Sequence, residues 1–254
     1  MTIHVERVGD GPDLVLLHGW GLHGGAWAGV AQRLAPRFRL HVVDLPGHGR
    51  SGPLRFDDLD SLAAHVAPVV PAGSAVCGWS LGALVALRLA SIAPGGVRSL
   101  GLVAATPSFV ARDGWASGIA PDVLAGFTRD LARDRDRTVR TFLHLTARGA
   151  PGARGGIRQL DSLLAQRPAA EAGCLAAGLR VLATADLRDA LAGVAARTAV
   201  VHGALDSLVP PEAGRHLAAA MPGATLVEIA DAAHAPLVTH PQAVASALEE
   251  HLHG

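Results

Sequence analysis

The chain has 254 residues, of which 50% are hydrophobic and 17% are charged, and its formal net charge at pH 7 is zero. This length suffices for one large domain, or for one domain that carries an inserted subdomain. The balanced charge does not indicate nucleic acid as a partner. Because no apolar run reaches the roughly 18 residues of a membrane span, we also expect no membrane contact.

The first residues, MTIHVERVGDGPD, show no basic stretch followed by an apolar one, which a secretory signal would require. Cys77 and Cys174 lie in apolar surroundings, which favours buried free thiols in a reducing compartment. We therefore expect a cytoplasmic protein, and we expect it to be a monomer.

Short apolar runs, most without polar alternation, recur along the chain at residues 13–21, 38–49, 74–80, 97–107, 197–206 and 224–234. Such runs are typical of strands buried on both faces. Helix-like segments lie between them, at 27–36, 59–70, 81–94, 211–222 and 242–254. This alternation predicts an α/β fold with a mostly parallel, doubly wound sheet, to which residues 2–11 would add an antiparallel edge strand.

The alternation stops between residues 108 and 190, where consecutive helices are predicted over 121–133, 135–147, 154–166 and 171–183, with a short turn near 186–192. An all-helical segment between two strands of such a sheet is typical of a cap, or lid. We predict that residues 1–107 and 191–254 form the core and that residues 108–190 form this cap, which is called the helical insert below.

The pentapeptide Gly78-Trp79-Ser80-Leu81-Gly82 matches the motif G-x-S-x-G at a predicted junction of strand and helix. Glycines on both sides allow a sharp turn that holds a serine outward at the amino end of a helix, where negative charge is favoured. Ser80 is therefore a candidate nucleophile. The alternative is an ordinary glycine-rich turn that happens to contain a serine.

A serine hydroxyl needs a general base, and the base needs an acid to orient it. Asp206 ends one predicted strand, and His234 follows the last one, in the chain order that this motif requires. Ser80, Asp206 and His234 are thus the predicted catalytic residues. Asp231 is a weaker candidate for the acid because it precedes His234 by only three residues, and His18 is expected to have a structural role.

A tetrahedral intermediate needs an oxyanion hole. We expect the backbone N–H groups of Leu81, directly after the nucleophile, and of Trp20, in the loop HGWG, to provide it. The alternative for Trp20 is simple packing. No Cys/His cluster has the spacing of metal ligands, and no nucleotide-binding glycine motif is present, so neither a metal nor a cofactor is expected.

With these residues, the chain resembles the serine hydrolases of the α/β-hydrolase fold over nearly its whole length. More narrowly, it resembles the pimeloyl-[acyl-carrier protein] methyl ester esterases of biotin synthesis. Three stretches that carry this likeness, residues 14–27, 40–51 and 78–86, recur in many hydrolases of the fold. More discriminating stretches lie at 109–115 and 119–127, in the region where families differ most, and residues 232–241 add to them.

This resemblance implies that a carboxylesterase removes the methyl ester from a pimeloyl chain carried by acyl carrier protein. In that family the substrate chain passes beneath the cap, and the matching stretch RTFLHLTARG implies contacts from the insert with that chain. The implied substrate-binding residues are Trp20, Ser80, Leu81, Phe142, Leu143, His144, Leu145, Thr146 and His234. Phe142 could equally belong to the core of the insert.

Acyl carrier proteins are acidic, and residues 133–158 contain seven arginines against two aspartates, a local net charge of +5. The arginines by which the family contacts its carrier match Arg137, Arg154 and Arg158. A fourth position holds Thr141 here, with Arg140 beside it. The four arginines are called the arginine patch below. The alternative is a solvated helix face in an arginine-rich protein.

Two other functions stay open on the sequence. A general short-chain carboxylesterase or lactonase, or a hydrolase of carbon–carbon bonds, would use the same fold and triad, because one fold serves many substrates. A binding protein without catalytic activity is the third possibility, although it would not need all three triad residues.

Overall fold

A computed structural model describes residues 2–252. Its sheet has seven strands in the order β1-β3-β2-β4-β5-β6-β7, in which β1 is antiparallel to β3 and all other neighbours are parallel. The strands are β1 Val5–Val8, β2 Asp13–Leu17, β3 Arg39–Val43, β4 Ser74–Trp79, β5 Val97–Val103, β6 Arg197–Gly203 and β7 Thr225–Ile229. The predicted α/β fold, with its antiparallel edge strand at the amino-terminal end of the chain, is confirmed.

The strands form where apolar residues follow one another without polar alternation. Every residue of β4 is buried, and so are all residues of β2 except Asp13, because helices cover both faces of the sheet. The covering helices are α1 Ala28–Leu34, α2 Leu59–Val66, α3 Leu81–Ile92, α8 Pro211–Ala220, α9 Pro236–Thr239 and α10 Pro241–Leu252. Three-residue to six-residue 3-10 helices lie at Gly24–Trp27, Ala67–Val69 and Arg188–Gly193.

The helical insert follows β5 and contains four helices: α4 Pro121–Arg133, α5 Arg135–Thr146, α6 Ala153–Leu164 and α7 Ala172–Thr184. Their bounds agree with the sequence within two residues. Local signals explain the starts: Pro121 opens α4, and the Asp134 carboxylate caps α5 by accepting from the Arg137 N–H. The short α9 was not predicted from the sequence.

Buried polar contacts fasten the insert to the core. Arg167, between α6 and α7, donates to the fully buried carboxylate of Asp44 at 2.6 Å and to Glu6 at 3.0 Å. The indole of Trp20 donates to the carbonyl oxygen of Leu175 at 2.9 Å. Since these bonds join segments far apart in the sequence, they fix how the insert lies over the carboxyl edge of the sheet.

Asp44 is ionised at neutral pH in spite of its burial. Burial alone would raise the pKa of its carboxyl, but the N–H groups of Arg50 and Gly24 and the Arg167 guanidinium help to lower it. None of the helices formed by residues 2–252 has the length and apolar character needed to cross a membrane.

Candidate active site

Ser80 occupies a strained turn between β4 and α3. Its φ of 55° and ψ of −114° lie in a region that residues other than glycine rarely adopt, at a cost of about 1–3 kcal/mol. The turn closes because Gly78 and Gly82 have no side chains. A Cβ on Gly78 would lie 2.2 Å from the Gly82 carbonyl oxygen, and one on Gly82 would lie 2.4 Å from the Leu17 carbonyl oxygen. The serine hydroxyl is thereby held out at the amino end of α3.

The structure brings the three predicted catalytic side chains into one hydrogen-bonded chain. Ser80 Oγ lies 2.9 Å from His234 Nε2, and His234 Nδ1 lies 2.7 Å from Asp206 Oδ2. All three residues are at least 95% buried. The loops that carry the acid and the base are held together, because the Leu205 N–H donates to the Ala232 carbonyl oxygen at 2.9 Å. Such a chain can move a proton from the serine to the imidazole during nucleophilic attack.

The Asp206 carboxylate is ordered on both of its oxygens. Oδ1 accepts from the N–H groups of Leu208 and Val209 at 2.9 and 2.8 Å, and Oδ2 accepts from His234. Burial would raise the pKa of Asp206, but the charge of His234 and the hydrogen bonds of His202 and His234 lower it well below its usual range. The acid is therefore a fixed negative charge beside the imidazole.

Trp20 and Leu81 lie on neighbouring elements at the same edge of the sheet. Strands β2 and β4 are paired, with Leu17 opposite Gly78, so the loop that carries Trp20 leaves the sheet beside the turn of Ser80. Leu81 is the first residue of α3, and its N–H belongs to the first turn, whose amides have no acceptor within the helix. This placement suits two donors to an oxyanion.

The candidate substrate residues of α5 face different neighbours. Phe142 is 2% exposed and packs edge-on against Trp20, with ring centroids 4.8 Å apart. One turn later, the Thr146 carbonyl oxygen accepts from the Ala235 N–H at 3.1 Å, next to His234. Leu143 is fully buried and Leu145 is half-buried. His144 instead lies 3.0 Å from Asp161 of α6, because residues two apart on a helix point in different directions.

The arginine patch is exposed on α5 and α6. Arg140 lies 3.4 Å from Asp161. The side chains of the other three, Arg137, Arg154 and Arg158, form no ion pair or hydrogen bond with any residue between 2 and 252. Their positive charge is therefore free to act on a partner.

A cleft of about 210 Å³ lies between α5, α6 and the loop that follows Trp20. Its walls include apolar residues of both parts of the molecule: Gly21, Val139, Leu164 and Leu175. Two ion pairs also line it, Arg135 with Asp136 and Arg140 with Asp161. Trp20 is joined to two of the lining residues, since Gly21 is its neighbour in the chain and the Leu175 carbonyl oxygen accepts its indole N–H.

In a comparison with models of known protein families, residues 14–247 match the alpha/beta hydrolase family. The chain belongs to the alpha/beta hydrolase family. Named relatives of this hydrolase include the pimeloyl-[acyl-carrier protein] methyl ester esterase of Aeromonas salmonicida (strain A449), 49% identical over 95% of this chain and 96% of that one. The enzyme of the same name from Nitrosomonas europaea is 42% identical over 98% of both chains. The predicted resemblance is confirmed.

Solved structures show the same fold for the hydrolase. An esterase from Exiguobacterium antarcticum matches with a TM-score of 0.88 at 23% identity, covering 99% of this chain and 96% of that one. The enol-lactonase of Burkholderia xenovorans LB400 matches with a TM-score of 0.84 at 20% identity, covering 99% and 96%. At such identities the likeness concerns the fold alone.

Three residues around the site of this hydrolase are not among the site residues predicted from the sequence. The Trp79 indole donates to the His234 carbonyl oxygen at 2.7 Å, His202 lies beside Asp206, and Arg167 fastens the insert. Only the G-x-S-x-G motif, which contains Trp79, points to any of them. Among residues 2–252, no group of three or more His, Cys, Asp or Glu side chains could hold a metal ion.

Proposed function

We propose that the protein is a carboxylesterase that hydrolyses the methyl ester of pimeloyl-[acyl-carrier protein] and so supplies the precursor of biotin. The observation that carries this proposal is the hydrogen-bonded chain Ser80–His234–Asp206 in a protein 42–49% identical to enzymes of that name over nearly its whole length. The triad supports ester hydrolysis, and the relatives support the choice of substrate.

The reaction would proceed through an acyl-enzyme. Ser80 Oγ attacks the carbonyl carbon of the methyl ester while His234 Nε2 takes its proton, and the N–H groups of Trp20 and Leu81 stabilise the oxyanion. His234 then gives that proton to the departing methanol. A water molecule, activated by the same imidazole, cleaves the acyl-enzyme, and the pimeloyl chain leaves with a free carboxylate. Asp206 holds the imidazole in the required tautomer throughout.

The carrier protein would dock on the arginine patch. Arg137, Arg154 and Arg158 are exposed and unpaired among the described residues, and an acidic partner would gain charge pairs there without breaking existing ones. Thr141 occupies the position where the family has a fourth arginine, so Arg140, which is already close to Asp161, would contribute less.

The cleft between α5 and α6 would admit the acyl chain and its prosthetic arm. Its apolar walls suit methylene groups. Phe142 and Thr146 would contact the chain near Trp20, and Leu143 and Leu145 would support them. The location in the cytoplasm, the monomeric state and the division into core and cap stay predictions from the sequence.

The test is hydrolysis of pimeloyl-[acyl-carrier protein] methyl ester beside hydrolysis of a short p-nitrophenyl ester, with Ser80→Ala as control. We expect a higher kcat/KM for the carrier-bound ester and a loss of about 10⁴-fold or more with Ser80→Ala on both substrates. Activity on the small ester alone would leave a general esterase. If a fluorophosphonate failed to label Ser80, a binding protein would be the better description.

A further inference from the structure

His202 lies on β6 with no exposed surface, directly beside the carboxylate of Asp206. Its Nε2 is 2.9 Å from the Val209 carbonyl oxygen and 3.4 Å from Asp206 Oδ2. Because a carbonyl oxygen only accepts, Nε2 carries a proton. That N–H therefore faces two acceptors, the carbonyl oxygen as the closer one and the carboxylate as the more distant one.

The other ring nitrogen of His202 has no partner. Nδ1 is buried without a hydrogen bond to any described residue, and α8 packs against it where Gly214 leaves room. A Cβ on Gly214 would lie 2.7 Å from Nδ1. An unpartnered buried nitrogen costs free energy, so an apolar side chain would serve better if this position were needed for packing alone. The function of His202 should therefore depend on its Nε2–H.

We propose that His202 is a positioning residue that holds the Asp206 carboxylate in place for His234. This role rests on the proposed function, in which Asp206 orients the base. Oδ1 is already fixed by two backbone N–H groups, whereas Oδ2 is shared by His234 at 2.7 Å and His202 at 3.4 Å. The positive end of the His202 N–H, which is hydrogen-bonded to the Val209 carbonyl oxygen, attracts Oδ2 and so limits rotation of the carboxylate away from the base.

Several groups lower the pKa of Asp206 against the opposing effect of burial, and the His202 N–H is one of them. The positive end of the His202 N–H lies near Asp206 Oδ2, the oxygen that stabilises a protonated His234. It therefore weakens the attraction between that oxygen and a protonated His234. Without His202, that oxygen would serve His234 alone and would favour its protonated form. The acid side of the pH–rate profile should then move to higher pH.

The other charged groups near His202 and Asp206 have ion-pair partners of their own. Asp206 is the carboxylate in contact with His234 within residues 2–252. Asp231 lies 3.2 Å from His240, and Glu228, opposite His202 on β7, lies 2.9 Å from Arg215. Helix α8 presents Gly214 to the ring. A shift of the profile on changing His202 would therefore reflect Asp206.

The experiment compares His202→Asn with His202→Gln on a short p-nitrophenyl ester between pH 5 and 9. Glutamine places its amide nitrogen where Nε2 lies, whereas asparagine reaches only as far as Nδ1. We expect His202→Asn to lower kcat about tenfold with little change in KM, and to raise the midpoint of the acid limb by about half a pH unit. His202→Gln should restore most of kcat and the original midpoint.

Equal activity and an unshifted acid limb in both variants would overturn the proposal. Should His202→Asn fail to fold, Gly214→Ala serves instead, because its methyl group must displace the ring while His202 remains; an unchanged acid limb there would also overturn it. Ser80→Ala is measured alongside. Activity retained in that variant would refute the proposed function, whereas its inactivity beside an unaltered His202→Asn would refute only the role of His202.

Discussion

At the carboxyl edge of the sheet the charged side chains are buried and matched, whereas on the outer face of the insert they are exposed and several have no partner. Asp206 and Asp44 each accept at least three hydrogen bonds, and both are at least 96% buried. No carboxylate among the described residues forms an ion pair with Arg137, Arg154 or Arg158. The buried charges can fix geometry to fractions of an ångström, while the exposed ones can only attract from a distance.

The largest effect should come from the buried charge of the triad. We expect Asp206→Asn to lower kcat about 10⁴-fold, because the amide favours the wrong tautomer of His234. The backbone donors of Leu208 and Val209 still find an acceptor, so the fold should survive. Steady-state kinetics on the small ester and far-UV circular dichroism measure the two outcomes. A loss below about tenfold would mean that another group orients the imidazole.

Next in size is the ion pair that fastens the insert. Arg167→Met should lower the free energy of unfolding by about 3–5 kcal/mol, because it leaves the Asp44 carboxylate buried beside fewer donors. The matched control is Arg148→Met, an exposed arginine of the insert, for which we expect a change within about 0.5 kcal/mol. Denaturant unfolding of both variants measures these free energies. Equal changes in the free energy of unfolding would show that the buried pair does not stabilise the fold.

Reversal of the exposed charges should affect one substrate only. Arg137→Glu, Arg154→Glu and Arg158→Glu together should lower kcat/KM for the carrier-bound ester about tenfold or more, while the small ester is turned over as before. Added salt should slow the unaltered enzyme on the carrier-bound ester in the same selective way.

The control for that triple variant carries the same change of charge away from the insert, at the exposed residues Arg7, Arg33 and Arg55. We expect it to retain turnover of the carrier-bound ester. An equal loss in both triple variants would mean that overall charge matters and the position of the arginines does not.

The buried His18 makes the stability of the fold depend on pH. Burial and the neighbouring His48 lower its pKa to about 3, and the Leu45 N–H donates to its Nε2 at 2.9 Å, so it is neutral in the fold. The unfolded chain binds a proton near pH 6.5 and the folded chain does not. Stability should therefore fall by up to about 1.4 kcal/mol for each pH unit between 6.5 and about 3.

Denaturant unfolding between pH 7.5 and 4.5 measures the slope of the free energy of unfolding against pH. His23 and His48 contribute to this slope with the same sign, since burial lowers the pKa of both. His18→Gln keeps an acceptor near the Nε2 position and does not titrate there, so its slope should be shallower. An identical slope would assign the effect to the other histidines.

The same contrast explains what the sequence can predict. The strand ends and the order Ser80, Asp206, His234 follow from local patterns, because parallel strands bring their carboxyl ends to one edge. Arg167 could not be found in this way, since its partner Asp44 is 123 residues away. His202 could not be found from the sequence either. A buried histidine in a strand has the same local pattern whether or not the following turn places a carboxylate, here Asp206, beside its ring.

The turn at Ser80 limits the substitutions that this chain can accept during evolution. Neither Gly78 nor Gly82 has room for a side chain: a methyl group on Gly78 would overlap the backbone carbonyl of Gly82, and one on Gly82 would overlap the backbone carbonyl of Leu17 at the end of β2. Because both obstacles are backbone atoms, no change of a neighbouring side chain can make room at either position. Descendants of this protein can exchange helices of the insert, but they inherit both glycines unchanged or lose the turn that holds Ser80.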